Sequence, residues 1–144
     1  MLAPQASRNT QIIPFTFQRP RLLLVGDSPE HLQNLQSAVN QQDFEITRAA
    51  SFEELARACH DSFDAIALDV APVQLAPMLK LIRMSGSNEQ VSVLVEASRL
   101  QNDLNLAGVL PRYRAMPCGK VEMVRLLRQQ TDSPAAAQHP RGVL

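Results

Sequence analysis

Three apolar runs in this 144-residue chain each end in a carboxylate. Arg21 to Asp27 reads RLLLVGD, Phe63 to Asp69 reads FDAIALD, and Gln90 to Glu96 reads QVSVLVE. Continuous runs of this kind suit strands buried on both faces of a parallel sheet. A doubly wound sheet sets its functional groups in the loops beyond the carboxyl ends of its strands. Asp27, Asp69 and Glu96 are therefore expected to converge on one edge, as a cluster of hard oxygen donors. Taken singly, Asp27 and Asp69 also suit helix capping or pairing with loop amides, the ordinary work of Asp in loops.

The segments between these runs carry helical spacing. Ser28 offers a capping hydroxyl and Pro29 fits a first turn, ahead of Leu32, Leu35 and Val39 at intervals of three and four. Phe44 to Ala50 (FEITRAA) is a second strand, and Ser51 with Glu54 forms a capping box before Leu55, Cys59 and Phe63. Pro72 and Pro77 precede a short helix over Met78 to Met84. Leu100, Leu104 and Ala107 mark a weaker helix ending at Gly108. Arg112 to Met116 (RYRAM) is short and half polar, as an edge strand would be, and Gly119 to Gln130 closes the chain's order with an amphipathic helix carrying Val121, Val124 and Leu127. Five alternating strand and helix units give an α/β fold. Residues 1–20 and 131–144, with their prolines and no sustained period, are expected to be tails flanking one domain over residues 21–130.

Composition narrows the function. Apolar residues make up 45% and charged residues 19%, with a formal net charge of zero and a pI near 6.8, which argues against nucleic acid and acidic membrane surfaces as partners. No run is long enough to span a bilayer and the first residues do not read as a signal peptide, so a cytoplasmic location is expected. Cys59 and Cys118 make no metal-ligand pair and are expected as free thiols. His31, His60 and His139 are scattered, which reads as surface or partly packed histidines.

Residues 21–130 resemble the receiver domains of two-component response regulators. VGDSPEHLQNLQ stands where that family has V-D-D-S-P and a helix, and FDAIALD is similar to its strand ending in the phosphorylated Asp. Tyr113 to Pro117 (YRAMP) resembles its closing signature, an aromatic residue three positions before a Lys-Pro step. The resemblance implies a five-stranded parallel sheet of order 2-1-3-4-5, with helices one and five on one face and two to four on the other. Cys59 and Cys118 would then lie apart. It further implies that Asp69 is the phosphoacceptor, that Mg²⁺ would be held by Asp27, Asp69 and the carbonyl of Ala71, that Tyr113 is the aromatic switch, and that the Met116–Pro117 bond is cis.

Three positions depart from the family. Gly26 replaces the first acid of the acidic pair, Glu96 replaces the Thr or Ser that bonds the phosphoryl group, and Met116 replaces the Lys that pairs with it. A carboxylate repels a phosphoryl group and a thioether gives it no charge-assisted bond. Glu96 either faces the pocket or turns to water. Arg99, three residues further on, either neutralises Glu96, reaches the pocket or lies on the solvent face of a helix, the commoner place for Arg.

The leading expectation is a stand-alone, degenerate receiver that is not an enzyme. It would act, as a monomer or weak homodimer, by binding a histidine kinase or a signalling or output protein through its fourth helix, fifth strand and fifth helix. A working phosphoacceptor at Asp69 is the first alternative. A flavodoxin-like small-molecule binder or enzyme is the second, and it lacks any Gly-rich phosphate loop.

Overall fold

The computed structural model describes residues 19–39, 41–100 and 106–132. The expected tails lie almost wholly outside these residues, as do Leu104 and His139. In chain order the elements are β1 (Arg21–Gly26), α1 (Pro29–Ser37), β2 (Glu45–Ala49), α2 (Phe52–Ala58), β3 (Ala65–Asp69), α3 (Pro72–Met84), β4 (Ser92–Glu96), α4 (Leu106–Arg112), β5 (Ala115–Cys118) and α5 (Lys120–Asp132). The strands form one parallel sheet in the order β2-β1-β3-β4-β5.

Strand alternation sorts the core into two halves. Leu23, Val25, Ile66, Leu68 and Val95 face a cluster with Leu55 of α2, Leu75 and Leu79 of α3 and Leu110 of α4. Leu22, Leu24, Ala65, Ala67 and Leu94 face the opposite cluster, with Leu32 and Leu35 of α1 and Met123 and Leu127 of α5. Helices α2 to α4 thus cover one face and α1 and α5 the other, as expected. The central strand β3 is buried at every position, so no polar side chain could sit there without a partner.

The bounds of α3, α4 and β5 differ from those the sequence predicts. Helix α3 begins at Pro72, because Pro77 falls in its second turn and does not end it. The N–H that Pro77 lacks would have bonded the carbonyl of Val73, a residue 83% exposed, where water can satisfy it. Helix α4 continues past Gly108 through Pro111. Strand β5 accordingly starts at Ala115, three residues later than Arg112. The cause lies outside the local sequence. Arg83 of α3 donates to the carbonyls of Tyr113 (2.8 Å), Val91 (2.7 Å) and Arg114 (3.2 Å), which fixes residues 113–114 as a turn against α3. Arg114 sits there at a φ of 57°, the left-handed region.

The expected cis bond at Pro117 is corrected: among the described residues every peptide is trans, Met116–Pro117 included. Pro117 pairs with Val95 within an edge strand, where a missing N–H is tolerated, and the chain runs on extended to Cys118. The Cys118 carbonyl then accepts the Ala97 N–H at 3.0 Å.

Both cysteines are free and buried, Cys59 in one half of the core and Cys118 in the other. Burial pushes the Cys59 thiol up, and burial followed by the charges of Glu122 and Glu96 pushes Cys118 up to about 11. Neither thiol should react with a disulfide reagent at pH 8 in the folded chain, and both should react in urea. Leu68→Ala, at a position with no exposure, is expected to cost about 2–5 kcal/mol in urea unfolding.

Candidate functional site

Strand register brings the carboxylates together. Gly26 pairs with Asp69, which places Asp27 one residue beyond the end of β3. Leu68 pairs with Val95, so Asp69 and Glu96, the next residues, end adjacent strands at one level. Asp69 and Glu96 are each only 3% exposed. Buried carboxylates require partners, since an ion left unpaired in this setting is costly.

Arg99 is that partner for two of them. It lies in the loop after β4, and its Nη2 donates to Asp27 Oδ1 at 2.8 Å and to the Asp69 carbonyl at 3.0 Å. Its Nε donates to Asp69 Oδ1 at 3.2 Å. One planar fork therefore bridges the ends of β1 and β3. The second oxygen of Asp27, Oδ2, accepts the Ala71 N–H at 2.8 Å. Burial pushes Asp27 up, yet the Arg99 and Ala71 hydrogen bonds and the charges of Arg99 and His31 outweigh it and hold the carboxyl below its ordinary value. Burial pulls Arg99 down, and its bond to Asp27 with the charges of both carboxylates turns that into a net rise.

His31 closes the other side. Ser28 caps α1 by accepting the His31 N–H at 3.3 Å, which turns the first helical turn back over the end of β1. His31 Nδ1 then lies 3.4 Å from Asp69 Oδ2, and Nε2 lies 4.0 Å from Asp27 Oδ1.

Gly26 permits this approach. A Cβ at Gly26 would stand 2.8 Å from the backbone nitrogen of Leu32 and 3.1 Å from its Cγ. Helix α1 lies so close to the end of β1 that only hydrogen fits between them.

No protein-family model matches the chain, and no curated protein does. Solved structures do. The receiver domain of a sensor histidine kinase from Pseudomonas aeruginosa, crystallised with a magnesium ion coordinated in its active-site cleft, superposes with a TM-score of 0.61 at 20% identity. That match covers 78% of this chain and 97% of the other. A chemotaxis response regulator of Vibrio cholerae superposes at 0.60 with 21% identity, covering 78% of this chain and 99% of its own. The chain has the receiver fold.

The residues expected to hold a cation are engaged otherwise. The Ala71 carbonyl, expected as a ligand, is the N-cap carbonyl of α3 and accepts the Gln74 N–H at 3.0 Å. Pro72 starts the helix immediately after it. Asp27 and Asp69 give oxygens to Arg99, and Gly26 adds none. Among the described residues no group of three or more His, Cys, Asp or Glu is arranged to hold a metal ion. The crevice thus does not fit the three-oxygen shell expected of Asp27, Asp69 and Ala71, because a guanidinium already spans its two carboxylates.

The other receiver positions separate. Glu96 is buried, not turned to water, and its Oε1 accepts both the backbone N–H (3.1 Å) and the hydroxyl of Ser98. Met116 pairs with Leu94, two residues short of Glu96 along the sheet, and is 46% exposed. Tyr113 lies in the turn before β5, half-buried against the α2 to α4 side of the core.

Of the site residues, His31 escapes the sequence reading, and Arg99 takes the less common of the places open to it. Arg99 lies in a loop and not on a helix face, and His31 is not a bystander. The signal for His31 was its place four residues after Asp27, in the first turn of a helix leaving a strand end. The signal for Arg99 was charge: three converging carboxylates need a cation, and Arg99 follows the third by three residues. Gly26→Ala should cost about 1–3 kcal/mol in urea unfolding, the usual size for overpacking, by pressing α1 away from β1.

Proposed function

We propose that this chain is a signalling module of two-component type that works by binding a protein, with no phosphorylation switch at Asp69 and no catalysis of its own. The observation that carries this reading is Glu96, a buried carboxylate at the end of β4 beside Asp69, held by Ser98. Phosphoryl transfer to an aspartate needs cationic stabilisation of the transferring oxygens. At the position where the receiver family offers a hydroxyl, this crevice offers a third carboxylate, and Met116 offers none of the positive charge of the family's lysine. A phospho-Asp69 would lack the hydroxyl and the ammonium that the family provides, and the cation that is present, Arg99, is already shared with Asp27.

Binding through the α4–β5–α5 face is supported by what that face exposes. Met116 is 46% and Val121 87% exposed, and beside them lies an open depression of about 580 Å³ lined by Leu110, Pro111, Arg114, Ala115, Met116 and Pro117. Apolar groups gathered in a groove with one cation at its rim suit a protein partner, a histidine kinase or another signalling protein. The reading places the chain in the cytoplasm, as a monomer or weak homodimer. Among the described residues no helix is long and apolar enough to cross a membrane.

Acetyl phosphate with Mg²⁺ tests the switch. Intact mass should show no aspartyl phosphate, acetyl phosphate should be consumed no faster than in buffer, and amide resonances around Tyr113 should stay in place. A phosphorylated species lost in Asp69→Ala, or accelerated consumption that depends on Asp69, would make the chain a working phosphoacceptor instead. For the binding face, Met116→Asp should abolish capture of a partner that the unaltered chain retains from the native cell. Its urea midpoint should hardly move, since surface substitutions usually fall within about 0.5 kcal/mol.

A further inference from the structure

We propose that Arg99 is a resident counter-ion that replaces a divalent cation in this crevice, so that the chain excludes Mg²⁺ and keeps the segment just after β4 fastened to the ends of β1 and β3 without any metal.

The geometry is that of a substitute, not of a passing surface pair. The guanidinium contacts the oxygens a cation would need: Oδ1 of Asp27 at 2.8 Å and Oδ1 of Asp69 at 3.2 Å. Its third contact, 3.0 Å to the Asp69 carbonyl, fixes its plane. Its side chain is 28% exposed, and those of its partners are 14% and 5% exposed, so solvent screens the pairs weakly. The oxygens left over have neighbours of their own. Asp27 Oδ2 accepts the Ala71 N–H, Asp69 Oδ2 faces His31 Nδ1 at 3.4 Å, and the Ala71 carbonyl serves α3. A divalent ion entering here would have to meet a fixed positive charge and strip hydrogen bonds from both carboxylates.

Tethering decides the competition. Arg99 reaches the carboxylates from three residues beyond β4, so its local concentration is set by a short loop and does not depend on the surrounding solution. A free cation must displace it from solution. The missing acid at Gly26 is not the primary obstacle, because α1 fills the space where that side chain would stand. On this view Arg99 is a positioning residue: it does through a side chain what a metal would do through coordination, and it does so in a single state.

The inference rests on the receiver-type reading only in naming Mg²⁺ as the cation to be excluded, and the two can fail separately. Titrating the full chain with Mn²⁺ as a paramagnetic stand-in, and following Tm against MgCl₂ at matched ionic strength, tests it directly. The unaltered chain should show no selective broadening of Asp27 and Asp69 amides and no Mg²⁺-dependent rise in Tm. Arg99→Ala and Arg99→Gln should lower Tm by roughly 5 °C or more without metal, and should then show site-selective broadening and a Tm that climbs with the logarithm of Mg²⁺ concentration. Arg99→Lys, which keeps the charge, should stay unresponsive. A general loss of stability would not produce that contrast. Selective broadening in the unaltered chain overturns the proposal whether or not the variants fold, as does an Arg99→Ala or Arg99→Gln chain that folds and ignores both ions. If the unaltered chain binds Mg²⁺ but acetyl phosphate leaves Asp69 unmodified, only this proposal falls; if it binds Mg²⁺ and is phosphorylated, the proposed function falls with it.

Discussion

Asp27 and Asp69 end up side by side because β1 and β3 pair in a register that leaves no choice, with Gly26 opposite Asp69. Two carboxylates held that close, one of them 5% exposed in its side chain, raise each other's energy unless a cation stands between them. Arg99 is the group that makes this register tenable. Its three contacts reach a side chain on β3, the same residue's carbonyl, and the residue after β1. The loop following β4 is thereby tied to two neighbouring strands. The sheet's functional edge therefore takes its shape from one ion cluster as much as from the ladder beneath it.

The cluster in turn constrains the helix packed over it. The first turn of α1 has to bring His31 against Asp69, and this demands an approach so tight that a Cβ at Gly26 would meet the Leu32 nitrogen at 2.8 Å. An acid at that place and a helix at that distance exclude each other. The glycine at the end of β1 and the imidazole over Asp69 thus belong to the same close approach of α1. At the start of α3, Pro72 follows Ala71 directly and commits the Ala71 carbonyl to the helix, while its N–H is committed to Asp27.

Much of this was legible in the sequence wherever burial leaves no alternative. LLLV and AIAL contain no side chain that could face water, so both had to be central strands, and the three carboxylates had to sit at one edge. The division of helices between faces followed from the winding. What stayed hidden was set by contacts distant in sequence. The start of β5 depends on Arg83, which reaches Tyr113 and Arg114 across 30 and 31 positions. The role of Arg99 depends on Asp27, 72 positions earlier, and no periodicity carries that information. Pro77 misled for a different reason: its cost falls on one exposed carbonyl, and a rule about helix breakers does not register exposure.

Glu96 is the position that best shows how the cluster reorganises the receiver edge. A buried carboxylate added to a crevice that already holds two would ordinarily be excluded. Here the short segment from Glu96 to Arg99 carries its own compensation: Ser98 donates to Glu96 through both its N–H and its hydroxyl, and Arg99 brings the positive charge one residue later. The negative charge, its hydrogen bonds and a cation thus arrive together on one loop. A diffusible ion would leave the charge balance of such an edge dependent on the surrounding solution, since occupancy follows concentration. A tethered guanidinium makes that balance a property of the folded chain for Asp27 and Asp69, while Glu96 is held by the hydrogen bonds of Ser98 alone.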